Sequence, residues 1–172
     1  IISQGDVLAT FDQNPFLLNV KETETTVAIS KSKLKQKMAS LEKSQSELNN
    51  SISNKAGSIS KYNDFSLFLT KLDKNLEDKK TLYNNKFISK KEFEDAQFEY
   101  DSAIFQLSTL ESEISSLNAT IASREAQTKI ISAEIEEVKK LIEQTELKLE
   151  SEKLDLSKTK IVSPIDGFIL DK

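Results

Sequence analysis

From residue 16 onward, apolar side chains return at every seventh position: Val20, Val27, Leu34, Leu41, Leu48, then Tyr62, Leu69, Leu76 and Tyr83, with Lys55 the one exception. A repeat of seven kept up over this length predicts a helix with a coiled-coil seam. The companion seam position is less regular. Met38, Ile52 and Ile59 follow the first series by four residues, whereas Phe65 and Leu72 follow it by three. The change of phase falls just after the stretch NKAGSIS, which contains Gly57. Together these predict an interruption or kink near residues 55–61.

A second pair of series runs from residue 90 to 157. Phe93, Tyr100, Leu107, Ile114, Ile121, Thr128, Ile135, Ile142, Leu149 and Leu156 form one. Ala96, Ala103, Leu110, Leu117, Arg124, Ile131, Val138 and Thr145 form the other. Neither Gly nor Pro occurs in this segment, so one continuous helix is expected. Each arm has roughly 70 residues and would reach about 100 Å if fully helical. Two such arms around a central turn read as an antiparallel helical hairpin. In that pairing Arg124 and Thr128 fall opposite Gln45 and Leu48. They form either a polar layer that fixes register or, for Arg124, a side chain reaching to solvent.

The turn is written in KFISKKEFEDA, residues 86–96. Asn84 and Asn85 supply turn chemistry. Ser89-Lys90-Lys91-Glu92 fits the capping box, in which the serine hydroxyl and the glutamate carboxylate satisfy each other's backbone N–H groups. Ile88 and Phe93 are spaced as a hydrophobic staple. Ser89 is explained as a helix start alone, and the lysines as a solvated tip. Phe87 and Ile88, however, are apolar where the chain should be exposed, which points to a partner surface.

Both ends read as β. In IISQGDVLATFD, Val7, Ala9 and Phe11 follow the turn-like Gly5-Asp6, and Asn14-Pro15 ends the strand. In IVSPIDGFIL, Ile161 and Val162 lead through Pro164 and Gly167 to Phe168 and Ile169. The expected fold is therefore mainly α, a long coiled-coil hairpin with a small split β domain at its open end. Residues 1–14 form its first half, 15–158 the hairpin, with arms of about 15–84 and 90–157 and a tip at 84–89, and 159–172 its second half.

Composition narrows the chemistry. The 172 residues hold no Cys and no His, which removes thiolate nucleophiles, disulfides, the usual general base and the commonest metal ligands. No Gly-rich phosphate loop or nucleophile-elbow motif occurs, so neither an enzyme nor a cofactor or metal is expected. A net charge of −4 with mixed signs and no basic stripe speaks against nucleic acid. The chain opens in mid-pattern and reads as a fragment, without an apolar run of membrane-spanning length.

The stretches GDVLATFD (residues 5–12) and IVSPIDGFI (residues 161–169) resemble the two halves of a lipoyl or biotinyl domain. A half-lipoyl motif, a helical hairpin and a second half-motif resemble the arrangement of the HlyD-type membrane fusion proteins, the periplasmic adaptors. Leu82 and Ser89 have the spacing of the R-x-x-x-L-x-x-x-x-x-x-S tip motif of adaptors that dock onto TolC-like channels. Asp78 stands where that motif has Arg, with Lys79 and Lys80 beside it. The resemblance implies a non-enzymatic periplasmic protein, its parent anchored in the inner membrane of a Gram-negative bacterium. It implies a homo-oligomeric ring, hexameric in the full assembly. That ring would join an inner-membrane transporter to a TolC-like outer-membrane channel. Partner-binding residues at the tip would be Lys79, Leu82, Lys86, Phe87, Ile88 and Ser89. Arms this long are closer to adaptors of ABC exporters in type I protein secretion; a multidrug efflux adaptor is the alternative.

Two other readings stand beside this one. A lipoyl or biotinyl carrier needs its modified lysine on a turn between the halves, where the hairpin sits here. A purely structural coiled coil accounts for the heptads but not for the β-like ends or the capped central turn.

Overall fold

A computed structural model describes residues 1–168. The chain runs β1 (Val7–Thr10), α1 (Asn14–Asn84), α2 (Lys90–Lys158) and β2 (Lys160–Val162). The helices have 71 and 69 residues and pack as a hairpin, so the mainly α architecture is as the heptads predicted. No helix among the described residues is long and apolar enough to cross a membrane.

The expected break near 55–61 is absent. Helix α1 continues unbroken through Gly57. A glycine costs a helix interior about 1 kcal/mol, and here the ladder continues for many turns on either side. The phase change behind the expectation is absent too. Residues half-buried or buried along α1 follow one regular rhythm, and the companion positions in its first part are Thr23, Ser30, Lys37, Ser44, Ser51 and Ser58. Met38, Ile52 and Ile59 are exposed, at 55%, 46% and 38%. Small hydroxylated residues, and Lys37, occupy the seam where the sequence suggested large apolar ones. Helix α2 behaves as expected, with Ala96, Ala103, Ile131, Ile135, Val138 and Ile142 all buried.

The chain divides into two compact units. The first takes residues 1–41 and the chain from 130 onward. Here Val20 and Val27 are buried in the seam of α1, and Lys37 Nζ reaches Glu134 Oε2 at 2.6 Å. Strand β1 pairs antiparallel with β2, Val7 with Val162, Ala9 with Ile161 and Thr10 with Lys160, with an irregularity between Val7 and Ala9. The bridge Ile2–Gly167 extends the pairing. Gly5, at φ 93°, donates its N–H to the Ser163 carbonyl at 2.9 Å; the left-handed conformation suits glycine.

The two ends therefore meet, but they do not form the β core that the sequence suggested. Val7, Leu8, Ile161 and Val162 share a sheet and remain exposed. Two strands bury too little between them to make a core. Buried here instead are Thr159 and Ser163, next to the helix end. Gln13 Nε2 donates to Thr159 Oγ1 at 2.8 Å, which ties the start of α1 to the chain entering β2. Ile169, expected in that core, and the rest of 169–172 lie outside the described residues.

The second unit is Glu42–Lys129. Its register is marked by polar pairs across the seam. Ser44 and Thr128 hydroxyls lie 2.9 Å apart, and Arg124 Nη1 meets Glu47 Oε2 at 2.6 Å. Ser58 donates to Glu113 at 2.9 Å and Tyr62 to Glu111 at 3.0 Å. The polar layer at Arg124 and Thr128 is thus real, but its partners are Ser44 and Glu47 rather than Gln45 and Leu48. Gln45 lies just off the seam, and the Arg124 side chain, about a third exposed, runs along the helix pair to a carboxylate at its rim.

Candidate functional site: the hairpin tip

Two local motifs meet back to back between Leu82 and Phe93. Helix α1 ends in a Schellman motif: the Phe87 N–H donates to the Leu82 carbonyl and the Lys86 N–H to the Tyr83 carbonyl, both at 2.9 Å. The motif requires a left-handed residue, and Lys86 fills that place at φ 61°. Glycine is the usual occupant because a β-carbon is strained there by about 1–2 kcal/mol. Lys86→Gly should therefore raise thermal stability of the tip, by about 1 kcal/mol, seen as slower amide exchange at residues 86 and 87. Equal or faster exchange would show that the lysine carries no such strain.

Helix α2 begins with the capping box foreseen in the sequence. Glu92 Oε2 accepts from both the Ser89 N–H and the Ser89 hydroxyl at 2.9 Å, and the Glu92 N–H donates to Ser89 Oγ at 3.2 Å. Hydrogen bonds from the Ser89 backbone and hydroxyl, with a smaller effect of the nearby Lys79, hold the Glu92 carboxyl below the usual range. Lys90 pairs with Glu94 at 2.9 Å one turn on, which raises the lysine pKa. The seam closes at the tip with Tyr83 stacked on Phe93, ring centroids 5.3 Å apart and planes 10° off parallel. Tyr100, further along α2, has its hydroxyl pKa raised chiefly by the charge of Asp73.

The sequence-derived site residues separate into two groups. Phe87 is 76% exposed and Leu82 39%; with Lys86 and Ser89 they lie on the outside of the turn. Ile88 is half-buried. Lys79 differs: it occupies a half-buried seam position near Glu92. Its spacing, three residues after Leu76 and four before Tyr83, would have revealed this. Lys80 next to it is exposed, as is Asp78. Sequence reasoning missed the tyrosine–phenylalanine stack, although both residues belong to the sevenfold series.

No protein family matches this chain. No curated protein is similar to it in sequence either. Among solved structures it is similar to the periplasmic adaptor protein EmrA, with a TM-score of 0.46 and 16% identity, over 96% of this chain and 57% of that one. The chain thus spans a little over half the length of that structural neighbour.

Proposed function

We propose that this chain is the hairpin portion of a periplasmic adaptor that joins an inner-membrane transporter to a TolC-like outer-membrane channel through the tip. The observation that carries the reading is the tip itself. A large aromatic, Phe87, stands exposed on a turn whose backbone is held on one side by a Schellman motif and on the other by a capping box. An apolar group presented on so ordered a turn loses little entropy on binding. The split-lipoyl resemblance, and the pairing of β1 with β2 from the two chain ends, favour the same reading.

Leu82, Phe87, Ile88 and Ser89 form the contact surface in this proposal. Lys86 supplies its positive charge, because Lys79 is half-buried in the seam and Lys80 lies a turn back. The role is non-enzymatic. The transporter is an ABC exporter of type I secretion, in keeping with the length of the arms. The location is periplasmic, with the parent anchored in the inner membrane.

The test is a photoreactive amino acid introduced at position 87 in cells carrying the full export system. It should form an adduct with an outer-membrane channel subunit, whereas the same probe at position 149, in the seam, should not. Adducts from neither 87 nor 88 would overturn the assignment.

A further inference from the structure

The seam of the unit Glu42–Lys129 changes character along its length. Between Tyr62 and Tyr83 the covered positions of α1 are aromatic or leucine, apart from Ser66 and Lys79. Those of α2 between Phe93 and Leu110 are aromatic, leucine or alanine. This section, next to the turn, is an apolar coiled-coil seam. Farther from the turn the covered positions of α1 become Ser44, Leu48, Ser51, Lys55 and Ser58. Ser44 beside Thr128 and Ser58 beside Glu113 set that stretch level with residues 113–128 of α2. The α2 side brings Ile114, Leu117 and Ile121, each half-buried, and then Arg124 and Thr128. Two isoleucines of α1 in this region, Ile52 and Ile59, stand off the seam, 46% and 38% exposed. Little apolar burial therefore holds the arms together here.

Local helix preference is weak over the same stretch. Residues 49–60 read NNSISNKAGSIS. Asn and Ser side chains compete for nearby backbone groups, and glycine is the poorest helix former after proline. At the same level α2 carries Ser115, Ser116, Asn118, Thr120 and Ser123. The cross-arm polar contacts lie toward the ends of the stretch, Glu47 with Arg124 and Ser58 with Glu113. On opening, their groups exchange each other for water at small net cost.

We propose that residues 44–58 of α1 and 113–128 of α2 form a joint within the hairpin. The two arms separate and lose helix there together, while the section from 62 to 110 stays closed as one body around the turn. Segments that bury few apolar side chains open at a lower free energy than the whole fold, and open as cooperative units. The glycine alone does not make the joint, since α1 runs unbroken through Gly57. The polar seam makes it, which is why both arms take part. Nothing in this depends on the adaptor reading, because the joint belongs to the hairpin whatever its tip binds.

Native-state amide exchange on the whole chain tests this. Residues 46–58 and 114–126 should exchange about tenfold faster than 65–80 and 96–108. The double variant Lys55→Leu/Gly57→Ala supplies what the joint lacks. Leucine adds apolar burial at a half-buried seam position, and a β-carbon at 57 meets nothing within 4 Å. Exchange should then slow by about tenfold in both 46–58 and 114–126 and stay unchanged at 65–80. Slowing in α2, where no residue is altered, separates a joint from a local gain of helix preference in α1. The chain has no cysteine, so paired spin labels report the same motion. Labels at Asn54→Cys/Asn118→Cys, both exposed, should give a broader distance distribution than labels at Lys71→Cys/Asp101→Cys, also both exposed. Equal protection in the two sections, equal label widths, or a double variant that slows α1 but leaves 114–126 unchanged would each overturn the proposal.

Discussion

Leu82→Asp should abolish export while the protein remains at normal abundance and nearly full helicity. Leu82 lies in the last turn of α1, 39% exposed, and its contribution to the fold is mostly its carbonyl, which accepts the Phe87 N–H whatever the side chain. An aspartate there meets the negative end of the helix dipole, at a cost of about 0.3–1 kcal/mol. That is too little to unfold a hairpin but puts a charge in the middle of the proposed contact surface. Leu149→Asp is the comparison. It places a carboxylate in the seam of α2 far from the turn, where loss of packing and burial of charge cost about 2–4 kcal/mol. Its export should fall because its abundance falls. Export and abundance measured together separate the two cases. Normal export by Leu82→Asp at normal abundance would reduce the tip to a turn. In the proposed assembly the contact at each tip is small, so the loss should be steep when every copy carries the change.

Ser58→Leu should destabilise the hairpin by about 1–3 kcal/mol, although it replaces a polar residue with an apolar one at a seam position. Ser58 is 5% exposed, and its hydroxyl donates to Glu113 at 2.9 Å. Ser58 sits in the seam between the arms, where a side chain of this size is already almost fully covered. A leucine must push the helices apart or leave its rotamer, and Glu113 loses its partner. Ile59→Ser should change stability by less than about 0.5 kcal/mol, because that isoleucine is 38% exposed. A heptad reading by hydrophobicity alone gives the opposite order, with leucine welcome at 58 and isoleucine needed at 59. Thermal melts with amide exchange over residues 51–65 decide between them. A stabilised Ser58→Leu would show that the seam has room that its burial denies.

What was legible in the sequence follows from how local the determining physics is. The capping box at Ser89–Glu92 needs four consecutive residues, and it was read correctly from them. The existence of two long helices and a central turn follows from the sevenfold repeat and the paired asparagines. The α2 seam was legible as well, because its buried positions are filled by large apolar residues such as Ile131, Ile135 and Ile142. Exposure of Phe87 followed from its place on a turn.

The sevenfold α1 series was legible, but its companion positions in the first part of the helix were not, and the reason is geometric. Whether a position is buried depends on where the partner helix lies, not on how apolar the side chain is. In this part of α1 serine and threonine take the seam positions and isoleucine is displaced to the side, as the buried Ser51 and Ser58 and the exposed Ile52 show. The same distinction explains Lys79. Its charge suggested the surface, but its register places it in the seam beside Glu92. The residue-level partners of the polar layer, Ser44 for Thr128 and Glu47 for Arg124, required the actual register of two arms, which a repeat of seven leaves open by a residue or more. At the ends, sequence alone indicated that β1 and β2 belong together. Only the tertiary structure decided that, among the described residues, they form a two-stranded sheet with exposed side chains, because strand pairing is fixed by backbone hydrogen bonds whereas a core needs a second layer to exclude water.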